Sequence, residues 1–185
     1  DVLRLSRSMS YKAAIAGLNL GGGKAVIIGN SRNDKNEILF RSFGRFVEGL
    51  AGRYITAEDV GTSVKDMEWV RMETRYVTGI SRALGGSGDP APVTALGTFS
   101  GIKATAKKQF GKESLNGLSI AVQGVGHVGY HLCKYLSKEG VNLYVNDIDS
   151  NAIKRVINEF GGSVIDSEKI YDADIDIYAP CALGA

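Results

Sequence analysis

Residues 118–147 read LSIAVQGVGHVGYHLCKYLSKEGVNLYVND, and this stretch decides the fold. Its first six residues, LSIAVQ, form an apolar run short enough for one buried strand. GVGHVG follows at once and opens an amphipathic helix over 125–139, which Gly140 ends. VNLYVN, residues 141–146, is a second buried strand. Beyond it, residues 150–160 have helical spacing with Ser150 as N-cap and Gly161 after the end. Short strands are expected at 163–165 and 174–178. Strands alternating with helices require a parallel sheet with crossover connections, an α/β fold of the Rossmann kind.

The glycines carry the chemistry of this half. G-x-G-x-x-G after a strand and before a helix is the context in which the pattern binds a dinucleotide. Gly124 permits the tight turn, Gly126 lets backbone approach a pyrophosphate, and Gly129 lets the helix pack closely on the strand. The helix N-terminus offers N–H groups and a positive dipole end to phosphate. Asp147 stands 21 residues after Gly126, at the end of the second strand. A carboxylate there accepts hydrogen bonds from both ribose hydroxyls and repels a 2′-phosphate, which favours NAD over NADP. His127 reads as a phosphate-side loop residue and His131 as a packing or surface residue, neither of them an acid or base.

Upstream, residues 93–110 read as a helix with Leu96, Phe99, Ile102 and Ala106 on one face. Residues 78–92 contain six Gly or Pro in fifteen and mark an interdomain loop. Two domains are expected: a partial catalytic, substrate-binding domain over 1–90, and the first part of an NAD-binding domain over 93–185. The front half opens in a helical pattern through Val2, Leu5 and Met9. A strand is expected at 25–28 after the glycine turn, then a helix with Leu39, Phe43, Phe46, Val47 and Leu50 on its apolar face. Another strand is expected at 53–56, and Ser63 with Asp66 makes a capping box for the next helix. The chain starts inside a helical pattern and stops straight after a strand, so it is expected to be a piece of a longer enzyme.

Composition excludes several classes. The chain has 185 residues, 44% hydrophobic and 23% charged, enough apolar material for a folded core. Net charge is +2, which makes no electrostatic case for nucleic acid or an anionic membrane. No apolar run approaches the roughly 18 residues of a membrane span, and DVLRLSRSMS has no signal-peptide core. Cys133 and Cys181 stand far apart, which suits reduced thiols and a cytoplasmic protein. His127 and His131 lack the glutamate of an HExxH motif, so no metal site is expected.

A nucleotide fold says nothing about substrate, so that information must lie in residues 1–90. GGGK places Lys24 after three glycines and before an apolar run. Partial desolvation there favours the neutral amine, which makes a general base possible. Asp59, in AEDVG, stands beside a glycine turn from which an acid can point into a cleft.

Taken together, YKAAIAGLNLGGGKAVIIG, GRYITAEDVGTSVKDM, ETRYVTGIS, DPAPVTALGT, AVQGVGHVGYHLCKYL and APCALGA closely resemble the bacterial leucine dehydrogenases. These belong to the glutamate/leucine/phenylalanine/valine dehydrogenase superfamily, and the likeness covers essentially the whole chain. The resemblance implies a two-domain enzyme with its active site in the cleft between domains. The implied reaction is reversible, NAD-dependent oxidative deamination of an L-amino acid to its 2-oxo acid and ammonia. By the same resemblance Lys12 binds the substrate carboxylate, Lys24 is the catalytic group and Asp59 takes part in proton transfer. Gly22, Gly23 and Ala57 line the substrate site. Thr94 lies near the nicotinamide. Gly124, Val125, Gly126, His127, Val128, Gly129, Tyr130, Asp147, Ile148, Cys181 and Ala182 hold the cofactor. Ala57 resembles the leucine-type pocket and favours a branched aliphatic substrate, with valine- and phenylalanine-type enzymes or a non-catalytic NAD-binding module as alternatives. A homo-oligomer is expected.

Overall fold

The computed structural model describes residues 1–182. The chain divides into two compact units, Asp1–Pro90 and the residues from Ala91 onward.

The second unit is an α/β layer structure. Helix α4 (Ala91–Phe110) leads into strand β1 (Ser119–Gln123), helix α5 (His127–Leu136), strand β2 (Asn142–Asn146), helix α6 (Ser150–Phe160), and strands β3 (Ser163–Val164) and β4 (Ile177–Pro180). The sheet order is β3-β2-β1-β4, and every pair is parallel. Parallel neighbours need crossovers, and α5 and α6 supply two of them. Ile120 and Val122 of β1 are fully buried with Leu132, Cys133 and Leu136 of α5, and with Ile102 and Ala106 of α4.

Several boundaries differ from the sequence reading for local reasons. Helix α4 begins at Ala91, and it buries Ala95, Ile102 and Ala106 while Leu96 stays exposed. Helix α5 stops at Leu136, and a 3-10 turn over Ser137–Glu139 carries the chain to Gly140 at φ +73°. The N-cap of α6 is Asp149, not Ser150; its carboxylate accepts from the Asn151 N–H at 2.9 Å. Strand β4 lies three residues later than expected at its start. Asp176 stays outside it, its carboxylate accepting from the Ser119 N–H at 2.8 Å.

The first unit is helical and loop-rich. Its helices are α1 (Val2–Ile15), α2 (Glu37–Gly49) and α3 (Val64–Arg71). Phe40, Met67, Val70, Val77 and Ile80 form its buried cluster. Helix α2 therefore turns Phe40, Gly44 and Val47 inward, and Phe46, expected on that face, is 79% exposed. The strand expected at 25–28 is absent: a strand needs a partner backbone, and no described segment pairs with this one. Val26, Ile27 and Ile28 are accordingly exposed. The strand expected at 53–56 reduces to one bridge, in which Thr56 pairs with Val77. No helix among the described residues is long and apolar enough to cross a membrane.

The capping box on α3 forms as expected. Ser63 Oγ accepts from the Asp66 N–H, and Asp66 accepts from the Ser63 N–H at 2.9 Å. Lys35 Nζ donates to the same carboxylate at 2.6 Å, so Asp66, buried among these donors, also ties the loop before α2 to α3. Replacing Ser63 by Ala should cost about 1 kcal/mol, the usual value of a lost cap. Asp66→Ala should cost more, about 2 kcal/mol or above, because it strands a charged donor and two further polar groups. Urea denaturation of both variants checks the order.

Candidate active site

Lys24 is positioned by glycines that face protein. A Cβ at Gly22 would lie 1.8 Å from the Ser6 carbonyl oxygen and 2.5 Å from the Ser10 nitrogen of α1. The Gly22 N–H donates to Ser10 Oγ at 2.9 Å. A Cβ at Gly23 would meet the Tyr54 ring at 2.6 Å. Only glycine permits this approach, so the segment lies flat on α1 and beneath Tyr54. Its next residue, Lys24, forms an ion pair with Oδ2 of Asp59, thirty-five residues further on.

Asp59 is held from several sides. Its Oδ1 accepts from the Val60 N–H at 2.8 Å. Burial pushes its carboxyl group up. The Lys24 hydrogen bond, the Val60 N–H and the charges of Lys24 and Lys12 outweigh this and hold it below the usual carboxylate value. Lys12, exposed in the last turn of α1, therefore lies close enough to act on the same carboxylate. Ala57 is exposed two residues before Asp59. The first unit thus pairs Lys24 with Asp59 and holds Lys12 near enough for its charge to act on the same carboxylate, a setting that can attract a carboxylate and move a proton.

In the second unit the relevant groups gather at the carboxyl ends of β1, β2 and β4. The order places β1 between β2 and β4, which is where an open parallel sheet reverses direction and binds ligands. Gly124 has φ +87°, and a Cβ there would lie 2.5 Å from the Ala182 nitrogen. A Cβ at Gly129 would lie 1.9 Å from the Gly124 carbonyl oxygen and 3.5 Å from Cys181 Cβ. The fold itself requires both glycines. Gly126 differs: its φ is −67°, and an added Cβ would meet no protein atom within 4 Å. No contact among the described residues explains that glycine. It caps α5, whose N-terminus carries no side-chain cap bond and no acid in its first turn. Backbone N–H groups and open space there fit a pyrophosphate.

Asp147 accepts from the Val125 N–H at 2.7 Å through Oδ2 and from the Asp149 N–H at 2.8 Å through Oδ1. Each oxygen keeps a further lone pair, so the carboxylate is oriented and still able to accept from hydroxyls. Ile148 beside it is fully exposed. His127 is exposed at the start of α5, and Val128 packs on the core. Tyr130 turns to α6 instead: its ring stacks 3.8 Å from the Arg155 guanidinium and its hydroxyl bonds Glu159. Thr94 stands exposed in the first turn of α4. The Cys181 N–H donates to the Gln123 carbonyl at 2.7 Å, which lays Cys181 and Ala182 along the glycine turn. Burial pushes the Cys133 thiol up to about 12, so it stays protonated and inert.

Some contributors carried no obvious sequence signal. Ser10 and Tyr54 shape the GGGK segment from distant positions. Thr62, three residues after Asp59, bonds that residue's backbone twice; an i, i+3 pair across a glycine turn is the pattern that would have found it.

The pH dependence of the Asp59 pair has a definite sign. A carboxyl held lower in the folded than in the unfolded chain adds stability that is complete above the unfolded value and is lost as pH falls through the folded one. The stability gap between the protein and Asp59→Asn should therefore be constant above about pH 4 and shrink below it. Urea denaturation at stepped pH checks this; a gap that widens in acid contradicts it.

Residues 1–76 match the family model described as the Glu/Leu/Phe/Val dehydrogenase dimerisation domain. The leucine dehydrogenase of Bacillus subtilis (strain 168) is 60% identical over 185 residues, which is 100% of this chain and 51% of that protein. The crystal structure of L-tryptophan dehydrogenase from Nostoc punctiforme superposes with a TM-score of 0.71 at 46% identity, covering 100% of this chain and 52% of the other. A hetero-hexameric glutamate dehydrogenase from Thermus thermophilus shares the fold, with a TM-score of 0.77 at 21% identity over 98% of this chain and 50% of that one. The chain spans about half the length of the curated relatives it matches. The lysine–aspartate cluster lies in the unit whose first 76 residues match that dimerisation domain, the glycine turn lies in the other, and the whole chain is similar to half of an amino-acid dehydrogenase.

Proposed function

We propose that the chain is part of an NAD-dependent leucine dehydrogenase. The reaction is the reversible oxidative deamination of L-leucine, and of other branched-chain L-amino acids, to the 2-oxo acid and ammonia. The observation that carries this reading is the Lys24–Asp59 ion pair within the field of Lys12.

Each group has a task the chemistry requires. Lys12 offers a cation to the substrate carboxylate. The substrate's α-ammonium must lose a proton before its Cα can give up a hydride. Asp59, shared with the Lys24 ammonium, is an acceptor for that proton. Loss of hydride leaves an iminium on the substrate. Asp59 then passes that proton to solvent; water adds to the iminium and gives one proton to Asp59, and the hydroxyl proton of the adduct moves to nitrogen as the carbonyl forms and ammonia leaves. NAD supplies the hydride acceptor when bound. The fit to NAD rests on the free face of Gly126, the uncapped N-terminus of α5 and the spare lone pairs of Asp147, whose negative charge disfavours a 2′-phosphate. Gly22 and Gly23 serve the substrate site by delivering Lys24.

The substrate choice is supported by Ala57 and by the 60% identity to a relative named for leucine, against 46% to one named for tryptophan. One methylene is worth about 1–3 kcal/mol, so valine and isoleucine should also react. The name of the matched domain supports a homo-oligomer, and the free thiols suit the cytoplasm.

Two measurements on the full-length protein test the reading. L-leucine deuterated at Cα should yield deuterated NADH, with L-phenylalanine turned over far more slowly; no deuterium in the nicotinamide contradicts the reaction. Gly126→Val should weaken NAD binding while leaving the melting temperature nearly unchanged. Gly129→Val should instead destabilise the fold, because its Cβ would collide with Gly124.

A further inference from the structure

Asp59 sits on a loop with its side chain 52% exposed, yet one of its oxygens must stay aimed at Lys24. An exposed carboxylate on a free loop samples many rotamers, and aiming it has an entropy cost. We infer that Thr62 is the positioning residue that removes this freedom; the inference rests on the proton-transfer role proposed for Asp59.

Thr62 Oγ1 accepts from the Asp59 N–H at 2.9 Å and donates to the Asp59 carbonyl oxygen at 2.6 Å. The Thr62 N–H donates to the same carbonyl at 2.9 Å. One side chain thus grips the backbone of Asp59 on both sides of its Cα. Gly61, at φ +78°, gives the turn the sharpness this closure needs. With the backbone fixed, the Val60 N–H takes Oδ1 and leaves Oδ2 for Lys24.

The clamp is itself anchored. Thr62 directly precedes Ser63, the N-cap of α3, whose capping carboxylate Asp66 is buried and held by Lys35. Helix α3 is seated in turn by Met67 and Val70, both in the core of the first unit. Rigidity therefore runs from the core through the cap to Thr62, and from Thr62 to the acid. A site supported in this way keeps its geometry, whereas misplacement by about 1 Å can cost on the order of 10²-fold in rate.

The test compares Thr62→Val, which removes the hydroxyl at nearly constant shape, with Thr62→Ser, which keeps it. In the full-length protein Thr62→Val should lower kcat with L-leucine roughly tenfold or more. KM for NAD should not change. The Asp59 carboxyl signal, followed by carbon NMR, should titrate at higher pH than in the parent, because the Lys24 bond is looser. Thr62→Ser should retain both the rate and the titration. If Thr62→Val does not fold, Thr62→Ala is read in its place. Parent-like rate and titration in Thr62→Val overturn the inference, as does a Thr62→Ser variant as impaired as Thr62→Val. Asp59→Asn separates the two levels. Loss of turnover there with a normal Thr62→Val overturns the clamp alone. Full turnover in Asp59→Asn overturns the proposed role of Asp59, and the clamp's purpose with it.

Discussion

The ion pair between Lys24 and Asp59 is the constraint on which the chemistry proposed for the first unit depends. It joins two loops thirty-five residues apart, neither of which belongs to a helix or strand. An exposed pair of this kind adds little to stability. Its value lies in geometry. The GGGK segment must press on α1 and Tyr54 for Lys24 to arrive, and the turn after Asp59 must close for the carboxylate to meet it. Lys12 then adds a second cation from the last turn of α1, and the carboxylate is kept ionised despite its partial burial.

The second unit solves a different problem with the same residue type. Two glycines of the turn after β1 exist because the chain crowds itself: Gly124 against Ala182, and Gly129 against the carbonyl of Gly124. At Gly126 an added Cβ would meet no described protein atom within 4 Å, which leaves room for the cofactor proposed there. That distinction separates a packing glycine from a binding glycine, and the sequence pattern alone does not make it. Asp147 has a double duty of the same kind. It fastens the glycine turn through Val125 and keeps acceptor capacity for a ligand.

Much of the second unit was legible in the sequence because its signals are local. Two apolar runs of six residues gave β1 and β2, and the glycine turn after the first gave the helix between them. The weaker readings fell where tertiary partners decide. Residues 25–28 have strand composition but no described partner strand, so they remain unpaired. Helix α2 turns Phe46 outward because Phe40 packs with Met67 and Val70, and Val47 is buried on the same face. In the site, Lys24 and Asp59 were readable from their glycine neighbours. Thr62, Ser10 and Tyr54 were not, since each acts on a candidate site residue or its neighbour through backbone or packing rather than through chemistry of its own. Tyr130 shows the converse: its place in the glycine motif pointed to cofactor, and its side chain is engaged with α6.

In the reaction proposed, Lys24 performs chemistry rather than holding structure. The most direct measurement is NADH formation from L-leucine by the full-length protein and by Lys24→Ala, with NAD binding titrated on both by fluorescence. Turnover should fall by at least about 10²-fold, the usual contribution of a positioned acid–base group, while NAD affinity stays the same. A Lys24→Ala protein that makes NADH at the parent rate would contradict it.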